Sequence, residues 1–177
     1  MLTPQEALSK IQQFAAEIGS QSLCQVSHQP KQDANPSRCF QNVSAKIAKD
    51  GGNILFGWTF IYRINSEHGG YLIATHHAIW CAIDNKLIDV TPFTDDPKHH
   101  PITTLSNDVL FLVDELAQPF DNGIIVAPLP LKFFPLSDNT NLEAYLTKLS
   151  KEEQKSCQDI YDGKVSPEQV SSVFFKS

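Results

Sequence analysis

Tyr71-Leu72-Ile73-Ala74-Thr75-His76-His77-Ala78-Ile79-Trp80-Cys81-Ala82-Ile83, then Asp84-Asn85-Lys86, then Leu87-Ile88-Asp89-Val90-Thr91-Pro92, is the stretch that decides the architecture. Its first part is rich in β-branched and aromatic residues and apolar on both faces, which predicts a strand central in a sheet. Asp84-Asn85-Lys86 carries hairpin-turn chemistry, and residues 87–90 return beside the first strand. Thr91-Pro92 ends the pairing, because proline has no N–H to give to a ladder. The length of the turn decides which faces meet. A two-residue turn at Asp84-Asn85 sets Asp89 opposite Trp80, on the face of His76; a three-residue turn or a bulge moves it to the face of His77.

Upstream, residues 54–64 share this composition and read as another strand, closed by a turn at Glu67-His68-Gly69-Gly70. A helix precedes it. Pro36-Ser37 sets it up, Phe40, Val43, Ile47 and Ala48 form its buried face, and Gly51-Gly52 stops it. Residues 20–36 are polar and read as an extended segment or loop. The first helix has Thr3 as cap, Pro4 at its first position and Glu6 completing a capping box. Ala7, Ile11, Phe14, Ala15 and Ile18 give it an apolar stripe, and Gly19 ends it.

Downstream, residues 95–101 form a polar loop, and residues 109–113 and 123–126 read as two strands. The proline-rich run from Pro128 to Pro135 is apolar and covers a core edge. The tail is helical, with capping boxes at Ser150 with Glu153 and at Ser166 with Pro167 and Gln169. A helix, a strand meander and further helices predict an α+β fold rather than alternating α/β. The reading is one domain over residues 1–177, with a core at about 20–136 and a C-terminal helical extension at about 139–177.

A chain of 177 residues with 41% hydrophobic and 19% charged residues has the composition of a soluble globular protein able to bury a core. Its net charge is −6, and no basic run is long enough to track a phosphate backbone, so nucleic acid is not an expected partner. No apolar run approaches transmembrane length, so neither is a membrane. The opening residues lack the pattern of a signal peptide, and Cys24, Cys39, Cys81 and Cys157 form no CxxC pair. The expectation is reduced thiols in a cytoplasmic protein, with signal-less export compatible; the sequence leaves the oligomeric state open.

Cys39, His76 or His77, and Asp89 follow one another as nucleophile, base and orienter do in thiol catalysis. The thiolate is the reactive form, and a cysteine in the first turn of a helix lies among unpaired N–H groups that favour it. Each residue also has a plainer role. Free cysteine is commonly buried, a strand histidine is commonly a satisfied core residue, and an aspartate before Thr-Pro commonly caps a turn. Adjacent strand histidines point to opposite faces, so only one can meet Cys39.

The helix-borne cysteine, strand-borne histidine and acid on the following strand resemble the papain-fold superfamily, particularly its transglutaminase-like and bacterial cysteine endopeptidase branches. His77-Ala78-x-Trp80 is similar to the His-Ala-Trp stretch of transglutaminase-like domains, and Asp89-Val90-Thr91-Pro92 to their Asp-x-Thr stretch. The short interval from His77 to Asp89 looks more like the endopeptidases. The likeness covers residues 36–93, about one third of the chain, and singles out no family within the superfamily. It implies a papain-like core, with the nucleophile helix packed on an antiparallel sheet. Cys39 is then the nucleophile, His77 the base and then acid, and Asp89 the orienter, with His76 kept as the alternate by strand parity.

The implied reaction is acyl transfer through a thioester on a peptide, isopeptide or glutamine side chain, with a peptide or protein substrate and no cofactor. The alternative is a catalytically inactive papain-like binding or interaction module. The Cys39 N–H and one further donor would hold the oxyanion; Gln32 lies upstream, where papain-like enzymes keep a glutamine, although a surface residue is its plainer reading. Trp58 is a candidate substrate-groove residue, although a core aromatic is its plainer reading. For a metal, Cys24-x-x-x-His28, His76-His77 and His99-His100 offer ligands, but only the first pair fits metal-site spacing even loosely, and no metal is expected. The sequence has no Gly-rich phosphate loop, GxSxG or HExxH.

Overall fold

Two long strands form the spine of the structure, a computed structural model that describes residues 4–18, 22–166 and 174–175. In chain order the elements begin with α1 (Pro4–Glu17), β1 (Ser22–His28), α2 (Cys39–Asp50), β2 (Asn53–Asn65), β3 (Gly69–Cys81) and β4 (Leu87–Asp89). After a 3-10 turn at Pro97–His99 come β5 (Val109–Val113), β6 (Phe120–Asp121), β7 (Ile125–Ala127), β8 (Lys132–Pro135), α3 (Thr140–Tyr161) and β9 (Phe174–Phe175). The fold is mixed α+β, as composition and periodicity lead one to expect.

β2 and β3 pair antiparallel from Asn53↔Cys81 to Asn65↔Gly69. β2 also pairs with β5, β5 with β1, β1 in parallel with β4, and β4 with β3, so the pairings close into a ring. β8 joins as a sixth strand on the first half of β3. β6, β7 and β9 form a separate three-stranded sheet.

Strand alternation sorts the core. Odd-numbered Leu55 and Ile79 meet Val26 and Phe111, which fill the ring. Even-numbered residues of β2 and β3 meet the helices: Trp58, Phe60 and Leu72 pack on Ile11 and Phe14 of α1, and Ala78 and Trp80 on Phe40 and Val43 of α2. α3 lays Leu142 and Leu146 on Tyr71. Ile79, Val26 and Phe111 are each 0% exposed, and burial of side chains this size is worth about 1.5–3 kcal/mol each.

Several sequence expectations change or sharpen. Of the two alternatives for the segment before α2, residues 22–28 take the extended one and form a strand of the ring, where Cys24 and Val26 alternate inward between the polar Gln25 and Ser27. Ser150 starts no helix. α3 begins ten residues earlier, where the Asn139 side chain accepts from the Asn141 N–H at 2.9 Å and the Leu142 N–H at 3.4 Å. Residues 174–175 form a strand on β7 rather than helix. The expected roles of Thr3, Gly19, Pro167 and Gln169 lie outside the described residues, while α2 stops as expected, with Gly51 and Gly52 at φ 72° and 88°. Among the described residues no helix is long and apolar enough to cross a membrane.

The ring closes through a glycine. Gly57 pairs with His77 on one side and Val113 on the other, and a Cβ there would strike the Leu112 carbonyl oxygen and come within 2.7 Å of Phe111. The Gly57→Ala variant is expected to lose about 2–3 kcal/mol of stability by forcing β2 and β5 apart, measured as a lower urea midpoint.

Candidate active site

The site is set by the hairpin between β3 and β4. The reversal has three residues, Ile83, Asp84 and Asn85, closed by the Asn85 N–H donating to the Ala82 carbonyl and the Ala82 N–H to the Lys86 carbonyl, both at 2.9 Å. Asn85 takes the left-handed conformation, φ 63°, which asparagine tolerates better than most residues. Trp80 therefore pairs with Ile88 and Cys81 with Leu87, and Asp89 shares the face of His77. β4 covers β3 at residues 80–81 and β8 covers it at 71–74, so His77 lies between them on the same edge.

His77 Nε2 is 3.0 Å from Asp89 Oδ2. The other carboxylate oxygen, Oδ1, accepts from the Thr91 N–H at 2.9 Å. Asp89, 2% exposed, thus caps the turn and holds the histidine at once. The Cys39 side chain lies near enough to His77 to favour its charged form. With Nε2 engaged by Asp89, Nδ1 is the nitrogen left for the thiol. Burial is the largest single influence on His77 and disfavours its charged form. The Asp89 carboxylate, its hydrogen bond and the neighbouring Cys39 side chain outweigh it, and hold the imidazole well above the ordinary histidine value.

Cys39 is the first residue of α2, one position after Arg38, which is the N-cap but makes no side-chain cap. Ser37 does not cap either; its N–H donates to Asn35 Oδ1 at 3.0 Å. The first-turn N–H groups therefore receive no capping side chain from this position. Cys39 is 8% exposed, packed with Phe40, Val43, Trp80, Val90 and Val126.

His76 lies on the opposite face, 3% exposed, its ring beside those of Phe40, Phe56 and Trp58. The Leu129 N–H donates to Nδ1 at 2.9 Å, which places the proton on Nε2, and Nε2 donates to the Ala117 carbonyl at 2.6 Å. Both nitrogens are satisfied in the neutral form, and burial pushes the pKa down to about 4. The structure brings Cys39, His77 and Asp89 together and sets His76 apart.

Other expected residues fall elsewhere. Trp58 lines no groove: it is 1% exposed, donates from Nε1 to Asp114 Oδ2 at 2.9 Å, and belongs to the main core. Gln32 is exposed in a turn of the loop before α2. Cys24 donates to the Phe111 carbonyl at 3.3 Å, and His28 Nε2 lies 2.9 Å from the Thr91 carbonyl oxygen with its ring stacked on Phe93. His99 lies against Asp96 and Arg63, and His100 against the Thr94 carbonyl. Among the described residues no three His, Cys, Asp or Glu side chains converge as metal ligands.

Sequence reasoning missed Asn42. This asparagine, 8% exposed, accepts from the Asn35 N–H at 3.2 Å and donates to the Asn35 carbonyl at 2.8 Å and to Thr91 Oγ1 at 3.3 Å. It joins the cysteine helix to the turn that holds Asp89. The signal was a polar residue among Phe40, Val43 and Ile47 in an apolar helix stripe.

Comparison with known proteins returned no matching family model, no matching curated protein and no matching solved structure.

Two outcomes follow from this geometry. Replacing Asn42 by alanine strands the buried Thr91 hydroxyl and the Asn35 backbone, and is expected to cost about 1–3 kcal/mol in chemical denaturation. His76 has the opposite sign to a salt-bridged histidine: its folded pKa lies below its unfolded value, so its stabilising contribution is present above pH 6.5 and is lost as pH falls toward 4. Between pH 7 and 4.5 this one group is expected to remove about 2 kcal/mol. His76→Gln, which keeps one donor and one acceptor, should flatten the stability–pH curve over that interval.

Proposed function

We propose that the chain is a cysteine-dependent hydrolase or acyltransferase of papain-like type, acting on an amide bond of a peptide, isopeptide or glutamine side chain. The observation that carries the reading is His77, set beside Cys39 and hydrogen-bonded through Nε2 to a carboxylate 2% exposed. Such an imidazole is polarised for proton transfer and fixed in orientation.

In this mechanism the Cys39 thiolate adds to the substrate carbonyl carbon, and the carbonyl electron pair moves to oxygen. The N–H groups at the start of α2 face that developing oxyanion. The His77 imidazolium gives its proton to the departing amine nitrogen, the C–N bond breaks, and a thioester remains on Cys39. Water or an acceptor amine then loses a proton to His77 and attacks the thioester carbon, and the C–S bond breaks to return the thiolate. Asp89 keeps the ring in place through both halves, and no cofactor is called on.

One observation favours the second reading, an inactive module on the same framework. Cys39 is 8% exposed and the His77 side chain 13%, so the reacting atoms are largely covered. The two readings part in a labelling experiment. Burial pushes the Cys24 thiol up and the Cys157 thiol up to about 11, which leaves both weakly reactive at neutral pH. A thiol-directed electrophile at pH 6 is expected to modify Cys39, with loss of labelling in Cys39→Ala. His77→Ala should label on the order of a hundredfold more slowly. Labelling that is equal in wild type and Cys39→Ala would reject the enzyme reading.

A further inference from the structure

A second feature lies two helical turns along α2 from the thiol. Lys31, Lys46 and Lys49 converge, with Asp50, on a cavity of about 160 Å³ whose floor includes Trp80 and Val90. We infer that this groove is a carboxylate-binding subsite for an acidic segment of an extended peptide. The inference deepens the proposed function and rests on it for the identity of the peptide as substrate.

Charge is the first argument. The chain carries 14 basic and 20 acidic residues, yet three lysines and one acid meet here. Asp50 is taken by Lys46 at 2.8 Å, and among the described residues neither Lys31 nor Lys49 has a salt-bridge partner. The helix macrodipole accounts for cations near the end of α2. It does not account for Lys31, which arrives from the loop after β1, held there by its N–H donating to the Val90 carbonyl at 3.1 Å. Two cations in excess, one from the loop and one from the helix, make a concavity that attracts an anion.

Shape and chemistry choose the anion. The Lys46 ammonium lies 4.5 Å from the centre of the Trp80 ring, so the floor is apolar with charge above it. An aspartate or glutamate side chain offers methylenes to that floor and a carboxylate to the lysines. Phosphate sites instead use backbone N–H groups at a helix start, and this groove lies at the other end of α2. Distance links the groove to the thiol. Lys46 follows Cys39 by seven positions on one helix face, about 10 Å of rise. That is about three residues of extended chain, so the acid would lie about three positions from the reacting amide.

The test uses the full chain with Cys39→Ala, which removes turnover from the measurement. N-acetyl-tetraglutamate amide, its tetraglutamine counterpart and inorganic phosphate are titrated separately while the two indole N–H resonances are followed by NMR. Tetraglutamate is expected to shift the Trp80 signal and leave that of core Trp58 in place, with affinity falling as salt rises. The Lys31→Gln/Lys49→Gln double variant should bind at least tenfold more weakly at an unchanged melting temperature. Binding of tetraglutamine or phosphate as tight as that of tetraglutamate would overturn the assignment, as would an unaffected double variant or no binding at all. Absence of Cys39 labelling would reject the enzyme reading and leave this result standing; absence of tetraglutamate binding would reject the subsite and leave the labelling result standing.

Discussion

The three-residue reversal at Ile83, Asp84 and Asn85 is the constraint on which the site and much of the core depend. Side chains alternate faces along a strand, so a change of one residue in the β3–β4 register would exchange every inward and outward position of β4. Leu87 packs in the ring with Phe111, while Ile88 and Val90 pack beside α2. A slipped register would turn Leu87 toward the helix and Ile88 into the ring, and would carry Asp89 from His77 to the face of His76. Asn85 supplies the left-handed residue that a three-residue reversal needs, at φ 63°. Core packing and carboxylate placement are thus consequences of the same turn, and an error in it would be opposed by lost burial as well as by a misplaced charge.

The adjacent histidines show what strand alternation does to one kind of side chain. Both are enclosed by protein. His76 meets aromatic rings, a carbonyl and an N–H, a set that suits a neutral ring with one donor and one acceptor. His77 meets a carboxylate and a thiol, a set that suits the imidazolium. Burial disfavours charge at both positions, and only at His77 do nearby opposite charges overcome it. A shift of one residue separates a histidine held neutral from one set against a carboxylate.

Much of this was legible in the sequence where the signal is local. The long strands, the hairpin, the Gly51-Gly52 stop of α2 and the order Cys39, histidine, Asp89 are all read from neighbours in the chain. The faces were harder, because turn length could be two or three, and only the backbone hydrogen bonds decide it. β1 reads only as extended segment or loop because Gln25 and Ser27 mask the alternation of Cys24 and Val26, whose partners on β5 lie more than eighty residues away, as with Cys24 and Phe111. Ring closure is equally non-local. Trp58 lies in the core, the commoner place for a strand aromatic, and its groove reading falls away. Asn139 outcompeted Ser150 as a helix start by satisfying two backbone donors, and a capping-box pattern inside a continuous helix carries no such bonds.

The apolar cluster that includes Cys39 has a composite origin. Phe40 and Val43 come from α2 itself, Ala78 and Trp80 from β3, and Val90 from just after β4, all tied into one framework by sheet pairing and by the Asn42–Thr91 contact. Val126 is different. It comes from β7, in the three-stranded sheet outside the ring, which shares no strand with the six-stranded sheet. The framework fixes the position of His77 against Asp89. The outer sheet joins the apolar cluster without setting that contact. The cluster around α2 therefore draws on strands inside and outside the ring, while the His77–Asp89 contact depends on the hairpin alone.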